Sequence, residues 1–211
     1  MKIGVDEAGR GPAIGPLVVC AFGSVSTSNL IELGVKDSKD LTRKRREELF
    51  EDLSKMPHSV VICQPERIDN SGNLNELEVE LFAEALQTMP MGDVMLDACD
   101  IDSERFARNV TKLSNRYCKA EHKADQKYPE VGAASIIAKV IRDRIIEELS
   151  EDLGIDLGSG YPSDSKTRNA VKLLVNGKLP HSCLRWSWKT VKDAWGGETP
   201  PRPSASQQTL F

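Results

Sequence analysis

The sequence predicts an α/β fold: a mixed five-stranded sheet flanked by helices, with a small helical extension near the C-terminal end. Three observations carry this. Five short apolar runs have strand character. The first two are only about nine residues apart, too few for a helical crossover, so they pair antiparallel. The later runs alternate with stretches whose apolar residues fall at helical intervals, as in sheets with helices on both faces.

The elements follow in order. Residues 2–7 form the first strand, with Ile3 and Val5 at strand spacing. After Gly11-Pro12 and Gly15-Pro16, the run Leu17 to Phe22 is the second. Thr42 caps a helix over roughly 43–55, where Leu49, Leu53 and Met56 supply the apolar spacing. His58 to Cys63 is the third strand. Asn73 to Met89 is a strongly amphipathic helix through Leu74, Leu77, Leu81, Phe82, Ala85 and Leu86. Asp93 to Asp97 is a short strand ending on an acid. Residues 103–114 are helical, and Tyr117 to Glu121 is the fifth strand. Pro129 stands near the start of a long helix reaching about residue 152. Beyond Gly154 come a turn-rich loop, Gly158 to Asp164, a helix over 164–175 and a stretch bearing Trp186, Trp188 and Trp195. From Gly196 the composition is Gly, Pro, Ser and Gln, that of a flexible tail. The expected organisation is one catalytic domain over 1–195, including the extension from roughly 155 to 195, followed by the tail 196–211.

Bulk properties exclude several classes. No apolar run approaches the roughly 18 residues of a membrane span, and acids follow Ile3-Gly4-Val5 at once, unlike a secretory leader. A cytoplasmic monomer is the expectation. The five cysteines are widely spaced and lack a Cys-x-x-Cys pair, so they read as small buried hydrophobes in a reducing compartment. The formal net charge of −4 argues against sequence-blind adhesion to nucleic acid, so a nucleic-acid reading rests on particular residues.

Those residues are acids at strand ends. Asp6 and Glu7 end the first strand, Asp97 ends the fourth, and Asp125 follows the fifth. If strands one and four are parallel neighbours, Asp6 and Asp97 emerge at one edge, and Asp125 reaches it from the start of the long helix. Such a cluster needs a proton or a divalent cation. Two Mg²⁺ or Mn²⁺ ions about 4 Å apart would stabilise the attacking water and the leaving oxygen of a phosphoryl displacement. Neighbouring strand residues point to opposite faces, so Asp6 and Glu7 share a pocket only where the strand has ended or where Glu7 offers its carbonyl. Gly9-Arg10-Gly11 beside them allows close backbone approach to a polyanion and supplies one planar cation.

The segment Asp6-Glu7-Ala8-Gly9-Arg10-Gly11 resembles the opening motif of the type 2 ribonucleases H (ribonuclease HII), particularly the archaeal branch. Asp37-Ser38-Lys39, Leu96-Asp97, Lys123-Ala124-Asp125, Tyr128-Pro129, Ala133 to Val140, Gly158 to Asp164 and Ser187-Trp188-Lys189-Thr190 are similar to further family segments in family order, over about residues 3 to 195. The resemblance implies an RNase H-like fold with Asp6, Glu7, Asp97 and Asp125 as metal-binding catalytic acids, loaded with Mg²⁺ or Mn²⁺. It implies cleavage of RNA in RNA–DNA hybrids and 5′ of single ribonucleotides in duplex DNA, leaving a 3′-hydroxyl and a 5′-phosphate. It maps the family's discrimination device onto Gly9, Arg10, Gly11 and Tyr161. Two glycines let main-chain groups reach a 2′-hydroxyl, and the Tyr161 ring can lie against the next, deoxy sugar. Arg10, Lys39, Ser135 and Lys139 are expected to hold phosphates, the last two being one helical turn apart. Two alternatives stand beside this reading. A hybrid-binding module that does not cut is disfavoured by four intact acids. A DNA-junction nuclease on the same fold is disfavoured by Gly9-Arg10-Gly11 together with Tyr161. In the tail, Gln207 and Leu210 resemble the first half of a sliding-clamp-binding peptide, with Phe211 directly after and the usual aromatic pair missing.

Overall fold

In the computed structural model, which describes residues 1–35 and 41–202, β1 (Lys2–Ala8), β2 (Leu17–Ser24), β3 (His58–Cys63), β4 (Asp93–Asp97) and β5 (Cys118–Glu121) make one sheet. Its order is β3-β2-β1-β4-β5. The early pairs β1–β2 and β2–β3 are antiparallel, and the later pairs β1–β4 and β4–β5 are parallel; the short β1–β2 link leaves no room for a crossover. Helices among the described residues are α1 (Thr27–Leu33), α2 (Arg43–Leu53), α3 (Pro65–Asn70), α4 (Leu74–Leu86), α5 (Ser103–Ser114), α6 (Ala124–Lys127), α7 (Pro129–Leu153), α8 (Ser165–Leu174) and α9 (Lys189–Trp195). The sequence pattern anticipates α2, α4, α5, α7 and α8. The four short helices α1, α3, α6 and α9 are new, because four to seven residues are too few to show a 3.6-residue period.

The described chain divides into two compact units. The first comprises residues 1–10, 16–63 and 71–144. Here β1 is the central strand and the wholly buried β2 lies beside it, and α4 packs against β2, β3 and α5. Phe82 meets Phe106 edge-on, ring centroids 5.1 Å apart. Helix α7 runs against β1 at Gly4, where a Cβ would stand 2.2 Å from the Glu130 carbonyl carbon, so only glycine lets the helix come this close. Asn73 caps α4, its side chain accepting from the Asn75 amide at 3.0 Å, and Thr42 caps α2 in the same way from the Arg45 amide at 3.2 Å.

The second unit comprises residues 11–15, 64–70 and the chain from Ile145. Its core includes Ile14, Leu157, Ala170, Val171, Leu184 and Trp186. Buried Arg185 donates from Nε to the Gly15 carbonyl at 3.0 Å. Composition alone predicts a free tail from Gly196, yet Arg202 is held: its guanidinium bonds Asp69 and lies 4.2 Å over the Trp186 ring. Asp69 also receives the amides of Trp186 and Ser187.

Candidate active site

Register brings the first acids together. Lys2 to Val5 of β1 pair in parallel with Asp93 to Leu96 of β4, so Asp6 and Asp97 are the next residues out on adjacent strands. Asp97 accepts the Ala124 amide on Oδ1 at 2.8 Å and so caps α6 from a neighbouring strand. Asp125 is the next residue along, 3% exposed. The sequence places Asp125 at the start of the long helix, whereas the structure gives it a separate turn, α6. Tyr128, before Pro129, is extended (φ −116°, ψ 109°) and breaks the helix there.

The strand continues to Ala8, yet the Asp6 and Glu7 carboxyls come within hydrogen-bonding reach of one another. The Ser135 hydroxyl of α7 reaches Asp6. Glu7 also comes to Glu78 of α4 and to Cys99, with one potential ligand atom from each of the three within 4.8 Å of the others. The two carboxyl groups still couple at the rim. Burial, then the charges of Glu7 and Asp97, hold the Asp6 carboxyl well above the usual carboxylate range, against the pull of Ser135. Burial raises Glu7 as well, with Asp6 and Arg10 acting in the other direction. Burial pushes Glu78 up to about 7 although Arg10 pairs with it. A buried group of carboxyls that hold protons on one another lacks positive charge, and its hard oxygen donors fit Mg²⁺ or Mn²⁺.

Beyond the acids the chain turns at Gly9, whose φ is +98°. A Cβ here would lie 2.4 Å from Nε of Arg142, a buried residue of α7. Arg10 donates from Nε to Glu78 Oε1 at 2.8 Å and from Nη2 to Asn75 Oδ1 at 2.7 Å. Sequence reasoning missed Glu78, Asn75 and Arg142. A signal for Glu78 existed, since it falls on the apolar stripe of α4 with Leu74, Leu81, Phe82 and Ala85, where a charge is out of place.

Gly11 belongs to the second unit, and so does Tyr161. A Cβ on Gly11 would be 3.5 Å from the Tyr161 ring, at ordinary contact distance. The loop 11–15 is pinned there: Trp188 Nε1 donates to the Gly11 carbonyl at 3.1 Å, and the Ala13 amide to the Gly160 carbonyl at 2.8 Å. Tyr161 is 37% exposed, so its ring is open to a ligand. Ser135 is buried beside Asp6, and the Lys139 ammonium is paired with Asp143 at 2.5 Å. Lys39, Gln207, Leu210 and Phe211 lie outside the described residues.

An α/β sheet with this order of strands and a carboxylate cluster at the rim of its two central parallel strands has the architecture of an RNase H-like nuclease. The family model described as ribonuclease HII matches residues 3–191. The chain is 48% identical to a ribonuclease HII of Pyrococcus furiosus, over 91% of this chain and 90% of that protein. It is 44% identical to that of Archaeoglobus fulgidus, over 92% and 96%. Among solved structures, the ribonuclease HII of A. fulgidus in its complex with PCNA superposes with a TM-score of 0.85 at 43% identity, covering 92% of this chain and 96% of that one. The ribonuclease H2 of Pyrococcus horikoshii superposes at 0.84 and 40% identity, with the same coverage. The chain therefore belongs to the ribonuclease HII family, endonucleases that hydrolyse RNA in RNA–DNA hybrids and at ribonucleotides embedded in DNA. Among the described residues no helix is long and apolar enough to cross a membrane.

Proposed function

We propose that Asp6, Glu7, Asp97 and Asp125 hold two divalent cations, Mg²⁺ or Mn²⁺, and that the chain nicks 5′ of a ribonucleotide to leave a 3′-hydroxyl and a 5′-phosphate. The observation that carries this is the acid rim: Asp6 and Asp97 stand side by side at the ends of adjacent parallel strands, Asp97 takes the amide that precedes Asp125, and Asp6 and Asp125 are buried. When bound, the cations supply activation of the attacking water and charge stabilisation at the leaving oxygen. The chain's own residues do the rest. The Ala124 amide fixes one oxygen of Asp97, and Ser135 orients Asp6. Arg10 and Lys139, with Lys39, hold phosphates flanking the scissile bond; Lys139 exchanges its Asp143 partner for one. The main chain of Gly9-Arg10-Gly11 reads the 2′-hydroxyl, and Tyr161, packed beside Gly11, lies against the neighbouring deoxy sugar.

The test is a labelled duplex bearing one ribonucleotide, an RNA–DNA hybrid and an all-DNA duplex, incubated with Mg²⁺ or Mn²⁺ and mapped at single-nucleotide resolution. Nicks 5′ of the ribonucleotide with an extendable 3′ end are expected, with none in all-DNA. Equal cutting of all-DNA would refute the reading. The tail carries a second proposal, docking on a sliding clamp through Gln207, Leu210 and Phe211. The PCNA complex of the A. fulgidus relative supports it. Calorimetric titration of a clamp with the full chain and with a 1–205 truncation would sink it if the two signals matched.

A further inference from the structure

The acid in the apolar face of α4 has a use beyond packing. Glu78 is fully buried, and a buried carboxylate with a single ionic partner rarely stabilises a fold as well as an apolar residue of similar size. Its partner is the arginine of the Gly9-Arg10-Gly11 corner: Glu78 Oε1 takes Arg10 Nε at 2.8 Å, and Asn75, almost one turn earlier on α4, takes Arg10 Nη2 at 2.7 Å. Two adjacent donors of the guanidinium are thereby fixed, while the side chain stays 40% exposed and able to meet an anion. A long, rotamer-rich side chain is set before the substrate arrives, so its ordering need not accompany binding. On its other side, Glu78 reaches to within 4.8 Å of Glu7. The carboxylate thus spans the short gap between the corner and the acid rim.

We infer that Glu78, seconded by Asn75, is a positioning residue that aims the Arg10 guanidinium at a backbone phosphate of the ribonucleotide-containing strand. This rests on the reading of Arg10 as a phosphate holder. The role is specific to binding: Glu78 touches neither the substrate nor the scissile bond, and acts on the phosphate through Arg10.

The experiment measures KM, kcat and the salt dependence of KM on a single-ribonucleotide duplex in Mg²⁺. The proteins are the full chain and its R10A, E78Q, N75A and R10A/E78Q variants. R10A and E78Q are each expected to raise KM by about tenfold with kcat changed less than about twofold. Both should reduce the steepness of log KM against log salt by roughly one phosphate contact. N75A should act in the same direction by about threefold. In the double variant E78Q should add nothing to R10A, because its effect runs through the missing guanidinium. A purely structural Glu78 would instead shift the melting temperature, leave the salt slope unchanged and show its full effect in the R10A background as well. R10A with an unchanged KM overturns the phosphate reading of Arg10 and the inference with it. A raised KM in R10A alongside an unchanged KM in both E78Q and N75A overturns the inference alone. N75A keeps the test open if E78Q does not fold.

Discussion

The acid rim and the glycine–arginine corner are joined by a single residue, Ala8, yet they are built in opposite ways. The rim is assembled by strand register: Asp6 and Asp97 face one another because β1 and β4 run parallel one residue short of them. It is rich in charge of one sign, and burial raises the Asp6 and Glu7 carboxyls above the usual carboxylate range. The corner is assembled by partners far along the chain. Gly9 packs against Arg142, Arg10 is tied to Glu78 and Asn75, and Gly11 is tied to Trp188 beside Tyr161. Its charge is matched and its space is tight. The rim should therefore tolerate neutral isosteres without unfolding, and Gly9 of the corner should not tolerate an added atom.

The largest expected effect separates the two. Asp97→Asn keeps an oxygen for the Ala124 amide and removes a negative charge from the rim. Nicking of a single-ribonucleotide duplex should fall by about a thousandfold or more, with a melting temperature equal to or above that of the parent. Gly9→Ala should do the reverse to stability. At φ +98°, with a Cβ 2.4 Å from the Arg142 side chain, it should cost about 3 kcal/mol in urea unfolding.

A pH series sharpens the contrast. In the metal-free protein Asp6, Glu7 and Glu78 hold protons that the unfolded chain has already released; for Glu78 the change is from 4.5 to about 7. The folded state then binds more protons than the unfolded one. Stability is greatest below the unfolded-chain values and falls as pH rises through the folded ones, on the order of 3 kcal/mol from Glu78 alone. Urea unfolding in EDTA from pH 4.5 to 8 checks the sign, and Mg²⁺ should flatten the slope. The smallest effect belongs to Gly11→Ala. Its Cβ makes only ordinary contact with Tyr161, so the melting temperature should move by less than about 3 °C. Cleavage at a single ribonucleotide should still fall about tenfold, because the added methyl stands where the sugar must lie.

The contrast also explains what could be read from the sequence. The rim was legible because strands and the acids that end them are local patterns, and two parallel neighbours need no further information to align Asp6 with Asp97. The five strands and the helices α2, α4, α5, α7 and α8 were legible for the same reason. The sequence places Asp125 after the fifth strand but does not show its own turn α6, although Pro129 signals a break. The supports of the corner were hidden because they depend on tertiary contacts. Nothing near residue 10 points to Glu78 some seventy residues on, and a buried Arg142 on a helix with charged neighbours has no periodic signature. Nor does the local sequence show that residues 11–15 pack beside Gly160 and Tyr161.

The central claim is that the four acids form one cluster completed by divalent cations. Calorimetric titration of Mn²⁺ at pH 7 into the metal-free chain, repeated in two buffers of different ionisation enthalpy, tests it directly. The account predicts saturable binding with net release of protons, since Asp6 must ionise to serve as a ligand, and both signals should collapse in Asp6→Asn. Binding without proton release, or binding of the same strength in Asp6→Asn, would contradict it.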